Sequence, residues 1–180
     1  YCLKTVLMKR YIITGAPGTG KTTLINALNK KGYTTFEEVS RRIIVSEQQN
    51  NGTKTPWQDV EAFTDAVYLQ TIKELNARIQ TPAFVDRGLA DNIAYLKLRE
   101  LPISEKFLNF DYKNAYQTTV FLLPLWKDIY VQDEQRLQSF EEAEKLQLLL
   151  IQSYENLGFS LKRLPKQTVE ERIMFIENNT

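Results

Sequence analysis

Eight residues near the start of the chain, Gly15-Ala16-Pro17-Gly18-Thr19-Gly20-Lys21-Thr22, constrain its fold more than any other stretch. They read Gly, four residues, Gly-Lys-Thr. A β-rich run, Arg10–Thr14 (RYIIT), precedes them. A helical pattern over 21–31 follows, with Leu24, Ala27 and Leu28 on one face and Gly32 as its stop. Between a strand and a helix, such a loop curls so that successive backbone N–H groups point inward at phosphate oxygens. Its glycines permit the curl, and the positive end of the helix faces the same anion.

The pattern predicts a nucleoside triphosphate site made of Gly15, Ala16, Pro17, Gly18, Thr19, Gly20, Lys21, Thr22 and Thr23. Lys21 is expected to reach the β- and γ-phosphates, and the Thr22 hydroxyl to ligate Mg²⁺. The Asn-Lys-x-Asp signature usual in guanine-specific GTPases does not occur, so ATP is the expected donor over GTP.

The rest of the chain continues the alternation. Residues 33–36 read as a strand, 40–49 as a helix with Arg41 and Arg42 in its first turn, and 50–56 (NNGTKTP) as a polar turn. Residues 57–79 carry apolar side chains at helical spacing. Residues 82–86 form a third strand, 89–98 a helix and 101–110 a further short one. Residues 118–123 (TTVFLL) are apolar throughout, as in a strand covered on both faces. A long helix over 133–157 ends at Gly158, followed by a strand over 159–164 and a helix over 169–178. Strands alternating with helices predict an α/β fold: one parallel sheet between two helical layers, with ligands at the carboxyl ends of the strands. One domain is expected over 8–180. Met8-Lys9-Arg10 reads as a start, with residues 1–7 as an N-terminal extension.

Composition removes several kinds of chemistry. The 180 residues contain no histidine, which excludes Ser-His-Asp and Cys-His catalysis and His-based zinc sites. The single cysteine, Cys2, can form no internal disulfide, which fits a reducing cytoplasmic setting. With 23 basic and 22 acidic side chains, the chain lacks the charge expected of a partner for nucleic acid or an anionic membrane. No apolar run approaches the ~18 residues of a membrane span. Oligomeric state is not legible.

Three further places bear on the reaction. Asp86 ends an apolar strand, the position that holds Mg²⁺ or its water shell; its competing role is to cap the next helix. In ATPase motors this Asp is usually followed by a Glu that activates water, whereas here Arg87 follows, which favours transfer to a bound acceptor. Glu37 and Glu38 end the second strand, and a carboxylate there, Glu38 by preference, can take the proton of an acceptor hydroxyl. Arg136, in Asp133-Glu134-Gln135-Arg136, is a candidate for closing over the transferred phosphoryl group, or else a surface ion-pair member. Arg41, Arg42, Asp91 and Tyr95 are candidates to line the acceptor pocket.

The segments GAPGTGKTTLINAL, GYTTFEEVSRRII, FVDRGLADNIAYL, IYVQDEQRLQSFEEAEKL, SYENLGFSLKRLP and TVEERIMFI together resemble a family of small P-loop proteins described as an AAA-type ATPase domain. That family is close to nucleoside and nucleotide kinases, including the nicotinamide-riboside-kinase-like domain of the bifunctional NAD-biosynthesis regulator. The resemblance covers nearly everything from Lys9 onward. It implies a five-stranded sheet in the order 2-3-1-4-5. It also implies that Asp86 and Arg87 stand where deoxynucleoside kinases carry an acidic-Arg pair, Glu38 where they carry their base, and Arg136 among lid arginines. Some relatives act as GTP-binding adaptors. Two functions are therefore expected: a Mg²⁺-dependent ATP phosphotransferase with catalytic residues Lys21, Glu38, Asp86, Arg87 and Arg136, acting on a small nucleoside-like or metabolite acceptor, or a nucleotide-dependent switch that hydrolyses slowly.

Overall fold

The computed structural model describes residues 9–79, 82–127 and 139–180. Five parallel strands form one sheet in the order β2-β3-β1-β4-β5: β1 Arg10–Thr14, β2 Thr34–Phe36, β3 Ala83–Asp86, β4 Tyr116–Leu122 and β5 Ser160–Arg163. Ile12 sits beside Val85 and Val120, and Ile13 beside Asp86 and Phe121, so the three central strands β3, β1 and β4 are in register at their carboxyl ends.

Consecutive residues of a strand point to opposite faces, and this splits the core in two. On one face Ile12, Val85 and Val120 pack with Leu89, Ile93, Phe107, Tyr116 and Tyr154. On the other, Ile13, Phe84 and Phe121 pack with Leu24, Leu28, Ile173 and Ile176. The first layer of helices comprises α3 Val60–Leu75, α4 Leu89–Leu98 and α7 Phe140–Asn156; the second comprises α1 Lys21–Lys30 and α8 Val169–Glu177. Helix α2, Val39–Gln49, packs on α3 and has no fully buried residue. The short turns α5 Glu105–Leu108 and α6 Tyr112–Ala115 divide what the sequence reads as one helix over 101–110 and its approach to β4.

Helix ends follow local chemistry that periodicity does not report. The helix expected over 57–79 begins at Val60 because the Asp59 side chain accepts from the Ala62 N–H. Its other end is closed from a distance: the Arg10 guanidinium donates to the carbonyls of Glu74, Leu75 and Ala77 at 2.7–3.0 Å, a cation at a helix carboxyl end. Helix α7 begins at Phe140 through a reciprocal capping box between Ser139 and Glu142. The part of the expected 133–157 helix before Ser139, Arg136 included, lies outside the described residues. Among the described residues, no helix is long and apolar enough to cross a membrane.

Candidate functional site

The glycine loop joins β1 to α1 at the carboxyl edge of the sheet. Gly15 has φ +148°, and a Cβ there would meet the Leu123 carbonyl at 2.7 Å, so no other residue fits. Gly20 precedes α1 at φ +88°, where an L side chain is strained. Helix α1 has no acidic residue in its first turn and no side-chain cap, which leaves its N-terminal N–H groups for an anion. Lys21 is buried, and its ammonium donates to the carbonyls of Gly15 at 2.7 Å and Ala16 at 2.9 Å. Burial, helped by the nearby Arg87 charge, lowers its pKa from 10.5 to about 7, against the pull of Asp86 and Glu38. Thr22 and Thr23 are exposed at the head of the helix.

The next strand over, β3, delivers Asp86 beside this loop. It is 5% exposed, and its Oδ1 has no hydrogen-bond partner in the protein. Burial raises its pKa, opposed by Lys21 and Arg87. A buried carboxylate oxygen without a donor, on the same edge as a threonine hydroxyl, fits Mg²⁺, which takes one or two protein oxygens and completes its shell with phosphate and water. Among the described residues no group of three or more Asp, Glu or Cys side chains is disposed to hold a metal alone. The buried cation, the open helix end and the glycine cradle fit a polyphosphate.

Arg87 sits at φ +69°, an uncommon conformation for a residue with a side chain. Its N–H continues the ladder to the Ile13 carbonyl at 3.0 Å, while its guanidinium turns back over the end of β2. Its Nε lies 3.1 Å from Glu38 Oε1. The two charges touch without an aligned hydrogen bond, since Nε has no geometric partner. Its Nη1 lies 3.5 Å from Asp91 Oδ1, and the guanidinium stands over the Tyr95 ring at 5.2 Å. For Glu38, burial acts upward, but Arg87 and Lys21 outweigh it and hold the carboxyl below its ordinary value. Burial raises the Tyr95 phenol. Glu37, by contrast, is exposed, with its neighbour turned inward.

A cleft of about 530 Å³, its open mouth included, runs from Asp86, Arg87 and Glu38 between β2–β3 and α3. Phe36, Val67, Leu75, Val85, Tyr95 and Tyr116 supply most of its apolar wall, and Thr71, Glu74 and Asn92 add polar groups. Of the expected acceptor residues, Tyr95 and Asp91 reach it, while Arg41 and Arg42 are not among its lining residues. Arg42 pairs with Glu74 on α3, so the anion it faces is a carboxylate of the protein itself.

Asp91 does more underneath the cleft than within it. At 2% exposed, its Oδ1 accepts from the Thr14 hydroxyl at 2.7 Å. Its Oδ2 accepts from the Gly88 N–H at 3.1 Å and from the Tyr154 hydroxyl. One carboxylate thus ties the end of β1 to the starts of α4 and to α7. Thr14 and Tyr154 are residues the sequence reading passed over. Their signal was a hydroxyl at a position otherwise reserved for apolar side chains, where burial demands a partner. Arg172 is another: 4% exposed on the inner face of α8, it donates to the carbonyls of Pro165 at 3.0 Å and Thr19 at 3.2 Å.

Solved structures share this architecture. Deoxyadenosine kinase from M. mycoides, with dCMP and dCDP bound, superimposes with a TM-score of 0.61 at 20% identity, covering 94% of this chain and 97% of that one. Thymidylate kinase from Candida albicans gives 0.61 at 12% identity, covering 94% and 90%. Shikimate kinase from Aquifex aeolicus gives 0.56 at 14% identity, covering 94% of each chain. At such identities the likeness is one of fold, that of the P-loop kinases. No curated protein matches the chain. The sequence model of the AAA domain family matches residues 10–172, and the chain belongs to that family.

Proposed function

We propose that the protein binds Mg²⁺·ATP at residues 15–23 and transfers the terminal phosphoryl group to a hydroxyl of a small nucleoside-like or metabolite acceptor held in the cleft. One observation carries this reading: Lys21, Asp86 and Glu38 converge at the strand ends, and the cleft opens beside them. A hydrolase needs only water there, whereas an apolar-walled cleft with a carboxylate at its head suits a bound organic hydroxyl.

Each residue then has a task. The loop N–H groups and the α1 terminus cradle the phosphates, and the Lys21 ammonium leaves the Gly15 and Ala16 carbonyls for them. Thr22 and Asp86 would hold Mg²⁺, which spreads the charge of the transferring group. Glu38, kept ionised by Arg87, accepts the acceptor proton. Arg87 fixes the carboxylate and faces the negative charge that develops between the two halves of the site. Arg136 is assigned to the transferring phosphoryl group on its resemblance to lid arginines, and Arg41, outside the cleft lining, acts through its charge on Glu38.

The test is phosphate transfer from labelled Mg²⁺·ATP, and separately Mg²⁺·GTP, with and without a panel of nucleosides, nicotinamide riboside and small hydroxylated metabolites. Acceptor-dependent transfer supports the kinase. Tight nucleotide binding with slow hydrolysis that no acceptor accelerates would replace it with the switch.

A further inference from the structure

The phosphate loop is anchored by a side chain from far along the chain. Gln147, on α7 and 9% exposed, accepts from the Ala16 N–H through Oε1 at 2.8 Å and donates from Nε2 to the Leu123 carbonyl at 3.0 Å. Leu123 in turn donates its N–H to the Thr14 carbonyl at 2.8 Å. Its own carbonyl is the atom that a Cβ on Gly15 would strike. Thr14, Gly15 and Ala16, where the loop leaves β1, are therefore enclosed by the end of β4 on one side and one carboxamide on the other.

The chemistry of this link is narrow. A side-chain amide offers a neutral acceptor and donor side by side without any change of protonation, and Asn is one methylene shorter. Ala16 is fully buried, so without Gln147 its N–H has no water to turn to. The two residues are 131 positions apart, and the bond ties α7 directly to the first turn of the phosphate cradle.

We propose that Gln147 is a positioning residue for the phosphate loop. By fixing the Ala16 amide it sets the curl that aims the following N–H groups, and so sets affinity for the triphosphate. The proposal rests on the nucleotide-binding reading above. It assigns Ala16 N–H to the scaffold and leaves the amides of Gly18 and Gly20 for phosphate.

The experiment uses the full chain, Mg²⁺·ATP as probe, and Gln147→Met, which keeps length and volume but removes both hydrogen bonds. Kd is measured by calorimetry well below the melting temperature. Amide exchange and shifts are followed by NMR. The variant is expected to raise Kd about tenfold and to speed exchange at Ala16. Added Mg²⁺·ATP is expected to move the Gly18 and Gly20 amides of the wild type and leave Ala16 in place. A folded variant with lower Tm and unchanged Kd would make Gln147 a packing residue only and overturn the proposal. Should Gln147→Met not fold, the wild type still decides: a large shift or lost protection at Ala16 on nucleotide binding would place that amide on phosphate and overturn it equally. A wild type that takes up no nucleotide removes the function proposed above together with this inference.

Discussion

The two halves of the site are built by opposite means. The phosphate half is local: eight consecutive residues, mostly backbone donors, with one cation that rests on the loop's own carbonyls. The half proposed for the acceptor is assembled from three elements, with Glu38 after β2, Arg87 after β3 and Tyr95 on α4, and is held by an ion pair and a cation–π contact between partly buried side chains. A local backbone cradle recognises any polyphosphate and is shared by unrelated reactions. A cleft joined from separate elements can change one wall without disturbing the others, and under the proposed function that is where selectivity for an acceptor would be set.

The comparison breaks most readily at Lys21. Lys21→Met should weaken Mg²⁺·ATP binding about 100-fold, since a charged hydrogen-bonding partner is lost. It should at the same time raise the melting temperature of the nucleotide-free protein, because a buried cation is removed; calorimetric titration and a thermal melt check both. The acceptor half is probed by Glu38→Gln, which should cut transfer about 100-fold or more while ATP affinity stays near wild type. Glu37→Gln should leave both close to wild type, and equal losses in the two variants would remove Glu38 as the base.

The third prediction concerns pH. Lys21 sits near 7 in the folded, nucleotide-free protein and at 10.5 when unfolded. Between those values the folded state binds fewer protons, so stability should rise with pH across this window, and the rise should vanish in Lys21→Met. Phosphate favours the charged amine, so binding should take up a proton above pH 7. Affinity should then fall by up to about tenfold per pH unit, seen as a buffer-dependent enthalpy.

Smaller effects separate scaffold from site. Tyr154→Phe removes one donor from the buried Asp91 and should cost about 1–2 kcal/mol of stability in denaturant melts, with little change in nucleotide affinity. Arg42→Ala breaks a pair whose members are 40% and 19% exposed, and should change stability by less than about 0.5 kcal/mol.

Legibility followed the same division. The glycine loop, the five strands and their order could be read because each depends on neighbouring residues or on a familiar pattern of segments. Helix starts were less legible, since Asp59 and Ser139 act through single hydrogen bonds that leave apolar spacing unchanged. The bonds from Thr14 and Tyr154 to Asp91 and from Ala16 to Gln147 were invisible: these partners lie 63 to 131 residues apart, and no periodicity links them. Asp91 itself was noticed for its chemistry, but its neighbours give it a structural duty that only the fold could assign.

Helix α2 adds one consequence. Because none of its eleven residues is fully buried, peeling it off the body exposes less oily surface than removing a helix that carries core residues, such as α4. Its amides should therefore exchange with deuterium through openings far cheaper than global unfolding. The residue that introduces this helix is Glu38, so the carboxylate proposed for proton removal sits at the root of a helix without a fully buried residue, where small movements reach the proposed chemistry first.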